Sequence, residues 1–508
     1  MRARLEQNLW SAMKIPRRVA RIAIHSISHV VAGGRYALRA PRVAFSVLWH
    51  RLAAWRHLLS ARPEQLTIAQ RAKRQVLQAF LASPDFRYHR CFARFDRMRE
   101  RSPEEHHRDF SNGILMMIGT LGPGGAERQL VATAKALRTR EKLDVDVTVA
   151  CSNLTTPAHR FFQTDLEAAN IEVTLIGSER KAEMPHELRA FLCSLPSELH
   201  DIGRYAATFW ARKPQIAHLW LDEINTKGGL AAVLTGVPKI IVSQRSLPPT
   251  NFTFHQPYMR EAYRWLAQHP TVTMINNSEA GARSYETWLG LPHGAINVVR
   301  NGYAFSDQEI ASHWAARGRY REQIGIPPVA PIVGAVMRLS EEKQPHMWLE
   351  IAALVRADVP DAHFLIVGDG PLRGSLEKRA LQPDLDGSVH FIGHLRDALD
   401  AIADMDLLLL TSRAEGLPNV LVEAQFLGVP VVATPVGGAP EAIDHGKSGW
   451  LLGSGDVHSH AERIVALLEN KDWRRAAAEY GPNFVRARFN MQRAIDETLA
   501  LYGETIVR

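Results

Sequence analysis

Residues 411–441 read TSRAEGLPNVLVEAQFLGVPVVATPVGGAPE, and the fold is decided by this stretch. The apolar run just before it, Leu407 to Leu410, reads as a buried parallel strand. A polar loop follows from Thr411 to Gly416. Pro418 suits the first turn of a helix, where its fixed φ fits and its missing N–H costs no helix bond. That helix is expected to run through Val420, Leu421, Glu423, Ala424 and Phe426. Gly428 ends it in a left-handed cap, and Val429-Pro430 turns into a strand from Val431 to Thr434. Glu415 is thereby placed at the C-terminal mouth of a strand and Glu423 about two turns into the next helix, on the edge where open α/β sheets bind ligands.

Two carboxylates so placed can each accept a pair of hydroxyl hydrogen bonds, which suits a sugar or a ribose. The helix N-terminal amides between them suit a diphosphate. A nucleotide-sugar offers all three groups. An arbitrary pair of glutamates at this spacing is more often two solvated residues on a surface helix, but the surrounding text reverses that. The segment EGLPNVLVEAQFLGVPVVATPVGGAPEAI resembles, nearly residue for residue, the E-x7-E donor-site signature of the family-4 retaining glycosyltransferases, the glycosyl transferases group 1.

Working outward, 508 residues allow two or three domains, and 46% apolar with 22% charged residues describes an ordinary globular protein. Cys91, Cys151 and Cys193 are few, odd in number and without metal spacing, which fits a reducing cytosol and suggests neither a zinc site nor a disulfide framework. The net charge of +8 is uneven: residues 1–110 hold 22 Lys/Arg against 8 Asp/Glu, a surplus of +14, and the remainder is net −6. The uncharged run Ile22 to Gly34 contains His25, Ser26, Ser28 and His29, and is too short and too polar to span a bilayer. No clear small-residue cleavage site follows it. Between Ala40 and Leu59, Val43, Phe45, Trp49, Leu52 and Trp55 are interleaved with Arg42, Arg51 and Arg56. Two alternatives stand for this segment: a basic interfacial helix on a membrane, or a helical cap on the first domain. Nucleic-acid binding ranks third, because no recognition motif accompanies the charge.

At Gly113 the texture changes to strand, glycine loop and helix: Ile114 to Ile118, then Gly119 to Arg128, then a helix through Leu137. The string GGAER resembles the family's first loop, which implies donor contacts for Gly124 and Gly125 at a cleft between two domains. Further units are expected at Val145–Ala150, a helix near His159–Ala169, Val173–Ile176 and a helical excursion over 178–200. The strand Gln215–Leu221 precedes a helix over Leu230–Thr235. His218 falls where the family has a histidine near the cleft, although a lone histidine on an apolar strand is more often a satisfied core residue. Lys239–Val242 is another strand, ending in Gln244 and Arg245, which are assigned with His218 to the acceptor side. Residues 248–258, PPTNFTFHQPY, look like a loop over the cleft, and Met274–Asn277 is expected to be the last strand of this half. Asn297 to Gly302 resembles the interdomain passage, with Asn301 a hinge first and a site residue second.

The second half opens with the strand Ile332–Met337 and then RLSEEK. Arg338 and Lys343 resemble the family's paired cations, the first a rigid fork and the second a mobile point charge for a leaving diphosphate. Lys343 is expected to open the helix that contains Trp348 and Ile351. Met337 stands where the family more usually has glycine, which puts the local backbone approach to the donor in question. Gly370 follows the strand Phe364–Val367. Gly393 and Leu395 follow Val389–Ile392, where the family's loop receives the base. Asp404-Met405-Asp406 matches the metal motif of a different fold superficially, and reads here as polarity at the start of a strand. The closing helix Met491–Tyr502 is expected to cross back onto the first domain.

The resemblance covers about residues 113–505 and implies an α/β fold of two Rossmann-like domains facing a cleft (GT-B), with an N-terminal helical extension. The expected division is a basic extension over 1–110, an acceptor domain over 111–305, a donor domain over 306–485 and a returning helix over 486–508. The implied reaction moves a hexose from a nucleoside-diphosphate sugar to a saccharide or lipid-linked hydroxyl, with retained configuration. Arg338, Lys343 and Glu415 would carry the chemistry, and Gly416, Leu417, Pro418, Asn419 and Glu423 would join the glycines in holding the donor. No cofactor, metal or nucleic acid is expected beyond the co-substrate. The expected location is cytoplasmic, with an anionic inner-membrane surface as a further partner. A nucleotide-sugar epimerase of the same architecture and a catalytically silent subunit of a polysaccharide machine are the alternatives.

Overall fold

The computed structural model describes residue 74 and residues 84–101, 110–140, 145–179, 184–304 and 306–503. By its internal contacts the chain divides after Arg94. Before that point the described residues comprise residue 74 and the opening turns of a helix, Pro84–Arg101. The expected basic extension, with Trp10, Trp49 and Trp55, otherwise lies outside the described residues. Among the described residues no helix is long and apolar enough to cross a membrane.

The unit from Phe95 onward carries two wholly parallel sheets. The first holds β1 (Ser111–Ile118), β2 (Asp146–Cys151), β3 (Glu172–Leu175), β4 (Pro214–Trp220), β5 (Lys239–Gln244), β6 (Val272–Asn276) and β7 (Asn297–Val298) in the order 3-2-1-4-5-6-7. The second holds β8 (Ile332–Val336), β9 (His363–Val367), β10 (Val389–Gly393), β11 (Leu407–Leu410), β12 (Val431–Ala433) and β13 (Gly449–Leu451) in the order 10-9-8-11-12-13. Both are doubly wound Rossmann-like sheets. The four leucines of β11 show why the run is unbroken rather than alternating. Leu408 and Leu410 enter the core on one face, Leu407 and Leu409 the core on the other, because successive side chains point apart and helices cover both sides.

The chain passes between the sheets twice, side by side. Tyr303 donates its N–H to the Phe489 carbonyl at 2.8 Å, and its own carbonyl accepts from Met491 N–H at 2.9 Å. Asn490 then caps the helix Met491–Tyr502, whose Ile495 and Tyr502 are buried in the core of the first sheet. At the other edge of that domain, Phe95 packs edge-on to Phe191 and Trp265, and Trp265 donates its indole N–H to Asp96 at 2.9 Å.

Several local expectations are corrected. The last strand of the first sheet is β7, not Met274–Asn277, and two residues are too few to show a period. The helix expected at Leu230–Thr235 starts at Asp222, where Asp222 and Glu223 complement the dipole of its first turn. Residues 159–169 form a 3-10 turn, Ala158–Arg160, and a short helix, Gln163–Glu167. Pro418 is the extended residue ahead of the helix Asn419–Phe426, not part of its first turn. Lys343 ends a 3-10 turn, Glu341–Lys343, and the helix Pro345–Asp358 opens only after Gln344 in the left-handed region at φ 50°. A residue ahead of proline is pushed out of the right-handed region, so that helix cannot begin earlier. Met337 turns its side chain into the core, leaving the cleft clear. Asp404 and Asp406 are occupied as caps and ties. Asp404 accepts from the N–H groups of Gly318, Tyr320 and Arg321, and Asp406 from Ile332 N–H and the Arg321 guanidinium.

Candidate active site

The C-terminal mouths of the two sheets face each other, and the loops there bring most of the expected residues together. Glu415, at the end of the loop after β11, is 7% exposed and accepts from Lys343 Nζ at 2.6 Å. Gly437 makes this loop possible. It lies at φ 53°, and a Cβ there would overlap the Glu415 carbonyl oxygen. Arg338 is exposed and has no ion-pair partner among the described residues. Its charge is felt by Glu127, which folds over Gly124 in the glycine loop. Burial raises the Glu127 pKa, and its own backbone hydrogen bond and then the Arg338 charge oppose that rise.

Glu423 is 3% exposed and accepts from Arg128 Nη1 at 2.7 Å, across the cleft. Attraction to Glu423 raises the Arg128 pKa against the effect of burial. Asn419, at the first position of the helix Asn419–Phe426, joins three segments. Its Oδ1 accepts from Asn301 Nδ2 at 2.6 Å and Tyr303 Oη at 2.7 Å, and its Nδ2 donates to the Gly125 carbonyl at 3.1 Å. Asn301 is therefore a site-wall residue as well as a hinge. The N-cap residue of the helix Asn419–Phe426, Pro418, makes no side-chain capping bond, and the positive end of the helix lies at the glycine loop.

Around this centre the other expected donor residues act through backbone. Gly124 is the extended residue ahead of the helix Gly125–Arg138. Gly370 packs under the loop after β8, and a Cβ would meet the Leu339 carbonyl oxygen at 2.5 Å. Gly393 accepts from Gly368 N–H at 2.7 Å. Leu395 and Leu417 turn their side chains toward the second core, so only their main chain is offered to a ligand. The loop after β10 also reaches the first domain, with His394 against the Phe161 ring at 5.3 Å and Arg396 paired with Asp165 at 2.9 Å.

The three acceptor-side residues are not gathered at one point. His218 is buried in β4, with Nδ1 at 2.7 Å from the Tyr502 hydroxyl, and burial, aided by the Arg245 charge, holds it neutral. Arg245 lies over the Trp220 ring, 3.5 Å from its centroid, and donates to Asn301 Oδ1 at 3.2 Å. Gln244 is fully buried with neither amide atom hydrogen-bonded among the described residues. Gln244 is the last residue of β5 and Arg245 lies just beyond the strand end. Asp222 lies next to this edge, where the hydroxyls of Tyr263 and Tyr285 both donate to its Oδ1. Burial pushes its pKa up to about 6 despite those bonds.

Two participants were not singled out from sequence. Arg128 appeared only inside a motif, although a cation in the first turn of a helix opposes the dipole and thus calls for a carboxylate partner. Glu441 accepts from Glu279 and Ala280 N–H at 3.0 and 2.9 Å, capping a helix of the first domain from the second, and no local pattern announces it. Among the described residues no group of three His, Cys, Asp or Glu side chains is placed to hold a metal ion.

Residues 316–484 match the family model described as Glycosyl transferases group 1. The chain is 29% identical over 422 residues to the Vi polysaccharide biosynthesis protein VipC/TviE of Salmonella typhi, covering 78% of this chain and 72% of that one. It is 32% identical over 238 residues to a D-inositol 3-phosphate glycosyltransferase of Corynebacterium urealyticum, covering 45% of this chain and 56% of that one. Among solved structures, Anabaena Alr3699/HepE in complex with UDP and glucose aligns with a TM-score of 0.61 at 22% identity, covering 76% of this chain and 98% of that one. Residues 316–484 therefore form a Glycosyl transferases group 1 domain, and the two sheets have the GT-B fold.

Proposed function

We propose that this chain, a transferase of GT-B fold, moves a hexose from a nucleoside-diphosphate sugar to a saccharide or lipid-linked hydroxyl with retained configuration, in cell-envelope or exopolysaccharide biosynthesis. The observation that carries the proposal is the pairing of each signature carboxylate with a cation at the mouth between the sheets: Glu415 with Lys343, Glu423 with Arg128. The uncapped helix Asn419–Phe426 lies between those pairs. A donor laid along this line would set its hexose at Glu415, its diphosphate against the helix end, Arg338 and Lys343, and its ribose at Glu423. The UDP complexes of the structural neighbour support a nucleotide-sugar as the ligand class. A donor screen reading nucleoside-diphosphate release is the direct test, and no release from any nucleotide-sugar would refute the proposal.

As the bond between C1 and the diphosphate oxygen breaks, negative charge grows on the leaving group. Preorganised cations and amides hold that charge without rearranging. The acceptor oxygen bonds C1 on the same face, and its proton passes to the leaving phosphate oxygen, so the configuration is retained. Lys343 and Arg338 supply the positive charge in this scheme. Activity is therefore expected to survive EDTA, and complete loss restored by manganese or magnesium would overturn the metal-independent scheme.

For the location, we propose that residues 1–110 hold the enzyme on the cytoplasmic face of an anionic membrane. The +14 surplus beside Trp10, Trp49 and Trp55 supports this. Basic residues near such a surface contribute ~1 kcal/mol each, and tryptophan suits the headgroup boundary. Intact protein is expected to float with anionic liposomes at low salt and to lose flotation on truncation. Absence of flotation at low salt would refute the tether and leave the transfer reaction untouched.

A further inference from the structure

The carboxylate assigned to the ribose is held from the other side of the cleft. Arg128 Nη1 meets Glu423 Oε1 at 2.7 Å, a single contact rather than a bidentate one. Among the described residues Glu423 Oε2 has no hydrogen-bond partner, yet it is not sealed from solvent. One oxygen is therefore taken by the arginine, and the other is left to accept from a ligand. The Glu423 side chain is 4% exposed and that of Arg128 37%, so the glutamate is packed while the arginine reaches solvent. A carboxylate packed this deeply is costly to keep charged unless a cation matches it.

Arg128 is itself anchored on both sides along the chain. Gly125, in the same first turn, accepts from Asn419 Nδ2 at 3.1 Å, and Asn419 opens the helix that carries Glu423. Gln129, the next residue, is 3% exposed, and its side-chain oxygen accepts from Gly302 N–H at 3.1 Å in the passage between the sheets. The start of the helix Gly125–Arg138 is thus tied both to the helix Asn419–Phe426 and to the interdomain passage. A guanidinium mounted so rigidly fixes the carboxylate it bonds, which orients the free oxygen before a ligand arrives.

We propose that Arg128 is a positioning residue for ribose recognition: from the first domain it neutralises and orients Glu423, whose free oxygen then accepts from a ribose hydroxyl. This rests on the placement of the ribose at Glu423 proposed above. The full chain is titrated by calorimetry with UDP, GDP and ADP, and the tightest of these is compared with its 2′,3′-dideoxy form. Wild-type protein is expected to prefer the hydroxylated nucleotide by about tenfold or more, as befits a charge-assisted bond. Arg128→Ala should bring that preference to within about threefold of parity. Arg128→Gln, which keeps a hydrogen-bond donor without the charge, should retain only part of it, and decides the matter should the alanine variant fail to fold. A clasp that merely braces the two domains would weaken both forms alike, and an unchanged ratio in the variants overturns the proposal. A larger ratio, with the hydroxylated form bound more tightly, also overturns it and makes Arg128 a cover over Glu423. Glu423→Ala, titrated alongside, separates the two levels of the argument. Failure of the wild-type chain to bind any of the nucleotides strikes the proposed function, and this inference with it. An absent wild-type preference, or one kept in Glu423→Ala, strikes the ribose placement and this inference together. A preference lost in Glu423→Ala but kept in Arg128→Ala strikes this inference alone.

Discussion

Lys343→Ala is expected to slow turnover by about 100-fold or more, the loss seen when one preorganised group opposite a developing oxyanion is removed. The effect on ground-state donor binding should be smaller, because the charge on the leaving diphosphate grows as the glycosidic bond stretches. The ion pair with Glu415 sharpens this expectation. At 2.6 Å Lys343 neutralises the carboxylate proposed to seat the hexose, so its loss also leaves Glu415 as a nearly buried negative charge beside an anionic donor. Steady-state kinetics with calorimetric donor affinity on the same variant separates the two effects. A variant that binds donor far more weakly yet turns over normally once saturated would place Lys343 outside the transition state.

Glu423→Ala is expected to weaken donor binding by ~2 kcal/mol or more, through loss of charge-assisted bonds to the ribose hydroxyls. The same change strands the Arg128 guanidinium, which Glu423 holds at 2.7 Å across the cleft. A purely structural clasp would also be damaged by the variant, so affinity is compared for the nucleotide and its 2′,3′-dideoxy form. Wild-type protein should lose affinity for the dideoxy form, and Glu423→Ala should not distinguish the two. Equal affinity of wild type and variant for the full nucleotide would remove Glu423 from the ligand site and leave the clasp as its role.

The donor side was largely legible because its residues lie close together along the chain and obey local rules. A buried leucine run, a polar loop, a proline ahead of a helix and a glycine at φ 68° after it place Glu415 and Glu423 without any long-range contact. The resemblance carried by 415–443 then supplied the chemistry, and the glycine loop and the Arg338–Lys343 pair followed by the same logic. The short strand β7 was missed because two residues show no period, and the start of the helix at Pro345 because a proline's constraint on Gln344 outweighed the apolar pattern.

By itself, then, the sequence determined two parallel αβ sheets, their donor edge and the residue types along it. Those depend on periods of two and 3.6 and on turn chemistry within a few neighbours. Only the tertiary structure decided the pairings. Arg128 reaches Glu423 over 295 positions, Asn301 reaches Asn419 over 118, and Glu441 caps a helix 162 positions earlier. It also decided that Arg245, next to the fully buried Gln244, lies over Trp220 and bonds Asn301, with no acid partner among the described residues. Such partners are set by how the two sheets meet and by the burial that makes an unpaired charge costly, and neither is written in any local stretch of residues.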